Sequence, residues 1–148
     1  MLGVYEKELV HTIANVLSNI GIRRALVVYG DDQLDELSIS SSTSIAEVNH
    51  GEIKEYTLNP EELGLKLSKK EDIVGGTAEE NAVITKNILS GKEQGAKRDI
   101  ILLNAGAALY TIGKTESIQE GIYLARKMID SGKALKKLNE FIEFTNAC

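Results

Sequence analysis

Apolar residues open the chain at helical spacing. Leu9, Ile13, Val16, Leu17 and Ile20 recur every one to four positions, which predicts an amphipathic helix with Gly21 as its stop. The rhythm then changes. Ala25-Leu26-Val27-Val28-Tyr29 is a continuous apolar run of strand length, closed by Gly30. A strand apolar on both sides implies a sheet covered on both faces, as in α/β folds. Beyond the polar stretch 31–36, Leu37 and Ile39 alternate with Ser38 and Ser40, predicting a short strand. Residues 43–48 and 53–58 read as two further strands, and Asn49-His50-Gly51 supplies the turn between them. Asn59-Pro60-Glu61-Glu62 fits a cap followed by a short helical turn with proline at its first position.

From Gly75 onward the pattern is helical. Thr77-Ala78-Glu79-Glu80 has the form of a capping box, in which hydroxyl and carboxylate satisfy free amides at the helix start. Ile84, Ile88 and Leu89 give that helix an apolar side, and Gly91 ends it. A second helix is predicted over residues 97–112, stopping at Gly113. Gly106 in its small-residue middle costs helix stability, so a close backbone neighbour is the expected reason for it. Ser117-Ile118-Gln119-Glu120 is another capping box, leading Ile118, Ile122, Ala125 and Ile129. Ser131-Gly132 breaks the chain before a last helix lined by Leu135, Leu138 and Ile142. The expectation is one α/β domain over residues 1–148, a small mixed β-sheet covered by helices, with no repeat and no linker.

Composition narrows the class. One proline and 13 glycines spread along the chain argue against a disordered or linker-rich protein. The net charge of −5, with no basic stripe, makes nucleic acid a poor partner, and none is expected. Glu6, Lys7 and Glu8 interrupt the first apolar residues, so no secretory signal is read there. The longest apolar stretch, residues 100–112, falls short of the about 20 residues that span a bilayer. The only cysteine is Cys148, which has no partner for an internal disulfide. A cytoplasmic location, with no membrane partner, is the simplest expectation.

Most catalytic signatures fail. The two histidines, His11 and His50, fall on a polar helix side and in a turn, so neither a thiolate-imidazole zinc site nor a nucleophilic triad can be built. Gly113-Lys114-Thr115 resembles the tail of a P-loop, but Ala108 stands where that motif needs glycine. Gly75-Gly76-Thr77 reads as a turn into a capped helix rather than an anion cradle, and the hydroxyl run 40–44 reads as a loop before it reads as a phosphate site.

One segment carries chemistry: Gly30-Asp31-Asp32-Gln33-Leu34-Asp35-Glu36-Leu37-Ser38. It follows the most buried-looking strand, where α/β sheets collect ligands. Four carboxylates in six residues repel one another unless solvated or bridged by a cation. Magnesium is typically held by one or two carboxylates, with waters and substrate phosphates completing its shell. Solvated carboxylates without a metal are the alternative reading of the same spacing.

The loop and its flanks resemble a known family. GVYEKELVHTIANVLSNIGIRRALVVYGDDQLDELS is similar to the stretch of anthranilate phosphoribosyltransferases that leads into their DGLDE motif. GEIKEYTLNPEELGL, GGTAEENA, RDIILLNAGAALYTIGKTESIQEGIYLA and IDSGKALKKLNEF continue the resemblance in order. It implies the carboxy-terminal part of a nucleoside phosphorylase/phosphoribosyltransferase catalytic domain. The implied reaction moves phosphoribose from phosphoribosyl diphosphate to anthranilate, releasing diphosphate, in tryptophan biosynthesis. It also implies Mg2+ held by Asp35 and Glu36. Gln33 stands where the family usually has glycine, Tyr29 where it commonly has histidine, and Ser41-Ser42-Thr43 where it more often has Gly-Pro-Thr. The family's amino-terminal helical region, glycine-rich substrate loop, anthranilate-binding residues and dimer helices have no counterpart here. The isolated chain is therefore expected to be inactive without an amino-terminal half, and the complete enzyme to be a homodimer. A truncated chain, a proteolytic product and a split gene are equally open origins. The alternatives are a fragment of a related phosphoribosyl or nucleoside transferase and a non-catalytic binding module of the same fold.

Overall fold

The computed structural model describes residues 1–147; Cys148, the lone cysteine, lies outside the described residues. The order of elements is β1 (Leu2–Gly3), α1 (Leu9–Asn19), β2 (Arg24–Gly30), β3 (Thr43–Asn49), β4 (Glu52–Leu58), α2 (Ala78–Leu89), α3 (Ala96–Thr111), α4 (Ile118–Asp130) and α5 (Lys133–Asn146). Two 3-10 turns, Pro60–Leu63 and Lys70–Ile73, link β4 to the helices. The strands form one mixed sheet in the order β1-β2-β3-β4. β1 runs parallel to β2, with Leu2 opposite Val27, and the other pairs are antiparallel, with Val28 opposite Ile45 and Ile45 opposite Tyr56.

The continuous apolar run of β2 is used on both faces. Leu26 and Val28 join Leu37, Ile39, Ile45 and the inner sides of α3 and α4 in the larger core. Ala25 and Val27 join Val4, Val10, Ala14, Ala46 and Val48 in a second core under α1. Helices thus cover both sides, as a doubly buried strand requires. Glu47 adds a polar tie inside this frame. It accepts hydrogen bonds from the hydroxyls of Tyr110 on α3 (2.7 Å) and Tyr56 on β4 (3.1 Å). Burial, together with the Glu47 charge and hydrogen bond, pushes the Tyr56 phenol above its ordinary value.

Local sequence signals set several boundaries. The β3–β4 hairpin turns on His50 (φ 50°) and Gly51 (φ 91°), both in the left-handed region that a tight two-residue turn needs. Thr77 and Glu80 form both halves of a capping box at α2. At α4 only one half forms as predicted. Ser117 accepts from the Glu120 amide, while the Glu120 carboxylate reaches the amide of Glu116 instead (2.9 Å). Gly106 meets its expected neighbour on α4: a Cβ there would lie 2.6 Å from the Ile122 nitrogen, and one on Gly121 would strike the Gly106 carbonyl.

Three expectations are corrected, and one strand was not anticipated. Leu37 and Ile39 are not in a strand. Both are fully buried, each worth about 1.5–3 kcal/mol of apolar burial, but they point into the larger core from an irregular loop. β1 was not foreseen, because two residues carry no periodicity and only pairing with β2 defines them. In α1 the buried positions are Val10 and Ala14, while Val16 and Ile20 face solvent, since the sheet covers a narrower stripe than the apolar pattern offers. The predicted apolar line of α5 is only half-buried at Leu135 and Leu138, and no residue of α5 is fully buried.

Candidate metal-binding loop at the end of strand β2

The loop after β2 is folded back on itself before any ligand is considered. Gly30 and Leu34 form an isolated bridge, with the Gly30 amide donating to the Leu34 carbonyl (2.8 Å) and the Gln33 amide to the Gly30 carbonyl (2.8 Å). Gln33 takes a φ of 70° to close this turn. That conformation is costly for any residue with a Cβ, which gives the physical reason a glycine suits the position.

The four carboxylates divide into two pairs. Asp31 and Asp32 are turned inward on hydroxyls. Asp31 accepts from Ser42, Ser44 (3.1 Å) and Lys7 Nζ (3.0 Å). Asp32 accepts from Ser38 (2.9 Å) and from Ser40, and its amide donates to Ser41 Oγ (3.1 Å). Lys70 Nζ caps the Asp32 carbonyl at 2.6 Å. Burial would raise both acids, yet the hydroxyl donors, with Lys7 beside Asp31, hold both carboxyls below their ordinary value. The hydroxyl run is thus committed largely to these two acids and to the loop backbone. The second oxygen of Asp32 is buried and has no hydrogen-bond partner among the described residues.

Asp35 and Glu36 are different. Both are exposed, and among the described residues neither carboxylate accepts a hydrogen bond or pairs with a cation. Partial loss of solvent against the loop, and then the Asp35 charge, raise the Glu36 carboxyl. Two adjacent acids with no positive partner are the donor set that a hard divalent cation satisfies. No group of three or more His, Cys, Asp or Glu side chains among the described residues is arranged to hold a metal by itself. The remaining ligands would have to be water or substrate oxygens, which is how magnesium is commonly bound.

The backbone under this pair is gripped from two distant parts of the chain. Gly3, at the end of β1, lies so close that a Cβ there would overlap the Asp35 carbonyl oxygen. Asn104, in the middle of α3, accepts from the Leu37 amide (3.0 Å) and donates to the Leu37 carbonyl (2.9 Å). Sequence reading missed both residues. The related signal in the sequence was Gly106 in the small-residue middle of the same helix, and it pointed to helix packing. His11 pairs with Glu55 on the α1 face and His50 sits exposed in the hairpin, so neither histidine enters the loop.

Comparison with known proteins adds a family. Residues 1–135 match the profile of the glycosyl transferase family, a/b domain. The chain is 49% identical over 147 residues to the anthranilate phosphoribosyltransferase of Methanobrevibacter smithii, covering 99% of this chain and 44% of that protein. It is 51% identical over 147 residues to that of Acetivibrio thermocellus, covering 99% and 42%. Among solved structures, anthranilate phosphoribosyltransferase from Thermus thermophilus superposes with a TM-score of 0.89 at 40% identity, covering 97% of this chain and 42% of that one. The Saccharomyces cerevisiae enzyme in complex with PRPP and Mg gives 0.89 at 29% identity, covering 99% and 42%. The chain spans less than half the length of these relatives.

Proposed function

Because the chain belongs to the glycosyl transferase family, a/b domain, we propose that residues 1–148 form the carboxy-terminal part of the catalytic domain of an anthranilate phosphoribosyltransferase. The complete protein would transfer phosphoribose from phosphoribosyl diphosphate to anthranilate and release diphosphate, in the cytoplasm, as a step of tryptophan biosynthesis. The observation that carries this reading is the exposed, unpaired Asp35–Glu36 couple at the carboxyl end of β2, in a chain 49–51% identical to enzymes of that name.

In this reading Asp35 and Glu36 hold Mg2+. The ion would supply positive charge beside the leaving diphosphate, whose negative charge grows as the glycosidic bond breaks. The work of this chain is positional. The bridge between Gly30 and Leu34 closes the loop, Asp32 and its serines fix its base, and Asp35 and Glu36 remain free at its rim. The amino-terminal half would bring the substrate-binding loop and the anthranilate site. We also propose that the complete protein is a homodimer. Apolar side chains left open on the helices, including Ile101, Ile112, Tyr123 and Phe141, favour association with further protein surface.

The test is anthranilate consumption in the presence of phosphoribosyl diphosphate and Mg2+. The chain alone should show no turnover. Supplying the amino-terminal part of a complete relative should restore it, and Asp35→Asn or Glu36→Gln should lower the restored rate by about 100-fold or more, the scale of losing a charge-stabilising group. Restored turnover that is unchanged in both variants would contradict the proposed role of the pair.

A further inference from the structure

Asn104 sits in the middle of α3, in a register where its neighbours Leu102, Leu103 and Ala107 are buried in the larger core. A side-chain amide there has to find partners, and this one finds three. Its oxygen accepts from the Leu37 amide at 3.0 Å, and its nitrogen donates to the Leu37 carbonyl at 2.9 Å and to the Ile100 carbonyl at 3.0 Å. Leu37 is completely buried and directly follows Glu36. Its two backbone polar groups cannot reach water, belong to no sheet ladder, and depend on Asn104 instead. A helix residue 67 positions away thus takes the place of a neighbouring strand.

We infer that Asn104 is a positioning residue for the Asp35–Glu36 pair: it locks the peptide following Glu36 to α3 and so holds both carboxylates ready for a divalent cation. The inference rests on the reading of those acids as metal ligands. A two-point bond to one residue fixes rotation as well as distance, which a single hydrogen bond does not. On the other flank Gly3 presses on the Asp35 carbonyl, so the backbone of the pair lies between β1 and α3. Two carboxylates that repel each other would otherwise move apart, and each would have to be drawn back when a cation binds. Partners that orient metal ligands commonly govern affinity by about 10–100-fold.

The experiment uses the full 148-residue chain and Mn2+ as a paramagnetic probe, with affinity read from broadening of the amide signals of Asp35 to Ser38. The parent chain should show saturable broadening there. Asn104→Leu keeps the bulk of the side chain and removes all its hydrogen bonds, and Asn104→Ala removes the bulk as well. Both are expected to weaken Mn2+ binding about tenfold or more. Val48→Ala, buried near the hairpin end of β3, should lower the melting temperature and leave Mn2+ affinity unchanged, which separates positioning from loss of stability. If both Asn104 variants fail to fold, the parent chain decides. Saturating Mg2+ should slow exchange of the Leu37 amide, and an unchanged exchange rate overturns the inference. Affinity within about twofold of the parent in a folded Asn104 variant, well short of the usual effect of such partners, also overturns it while leaving the ligand assignment intact. Broadening that persists unchanged in Asp35→Asn overturns the ligand assignment and this inference together.

Discussion

Single side chains in the loop do work that their neighbours cannot. Gln33 closes the turn at φ 70°, a conformation about 1–2 kcal/mol less favourable for residues with a Cβ. Gln33→Gly should therefore raise stability by about 0.5–1 kcal/mol, the gain being reduced by the greater freedom of glycine in the unfolded chain; urea unfolding measures it, and a loss would contradict the turn geometry. Asp31 and Asp32 make a pH prediction. Burial raises them, but their hydroxyl donors and Lys7 win, so each folded carboxyl lies below the ordinary 3.8. Their stabilising effect is complete above that value and is lost as pH falls through the lower folded values. Melting temperature followed against pH should fall below about pH 4, and Asp32→Asn should flatten part of that fall. The acidic loop was readable from sequence, since carboxylates after a buried strand are local information, whereas the choice of Asp35 and Glu36 as the proposed metal pair came from the family resemblance. Asn104 and Gly3 were not readable, because what each touches is set by packing between segments far apart in the chain.

Elements show the same division between local and distant causes. The capping box of α2 and the His50-Gly51 hairpin followed from a few adjacent residues and formed where expected. The alternation at residues 37–40 misled, because the period of a strand also describes two apolar side chains entering a core from a loop. In α1 the pattern identified the helix but placed Val16 and Ile20 inside, whereas the width of the buried stripe depends on how the sheet lies against it. The α3–α4 contact supplies a prediction in which two effects oppose. Gly106→Ala should gain about 1 kcal/mol of helix propensity, but its Cβ would sit 2.6 Å from the Ile122 nitrogen, a backbone atom that cannot swing aside. Forced repacking costs about 1–3 kcal/mol, so a net loss is expected in urea unfolding. A net gain would mean that the two helices are farther apart than described.

At the scale of the molecule, one sheet with helices on both faces presents its acidic loop at the carboxyl end of β2, where α/β folds gather ligands. No helix among the described residues is long and apolar enough to cross a membrane. The helical side retains an open groove of about 380 Å3 lined by apolar side chains that include Ile101, Ala105, Ala108, Ile112, Met128 and Ala134. An apolar groove of this kind marks a surface suited to further protein or to an apolar ligand, and the chain spans 42–44% of the length of its relatives. The proposed metal role of Asp35 and Glu36 is tested most directly by crystals of the chain soaked with Mn2+ and diphosphate. An anomalous difference peak within coordination distance of both the Asp35 and Glu36 carboxylates, bridged to diphosphate oxygens, is the predicted result. Diphosphate and manganese bound elsewhere, with those two carboxylates left bare, would contradict it.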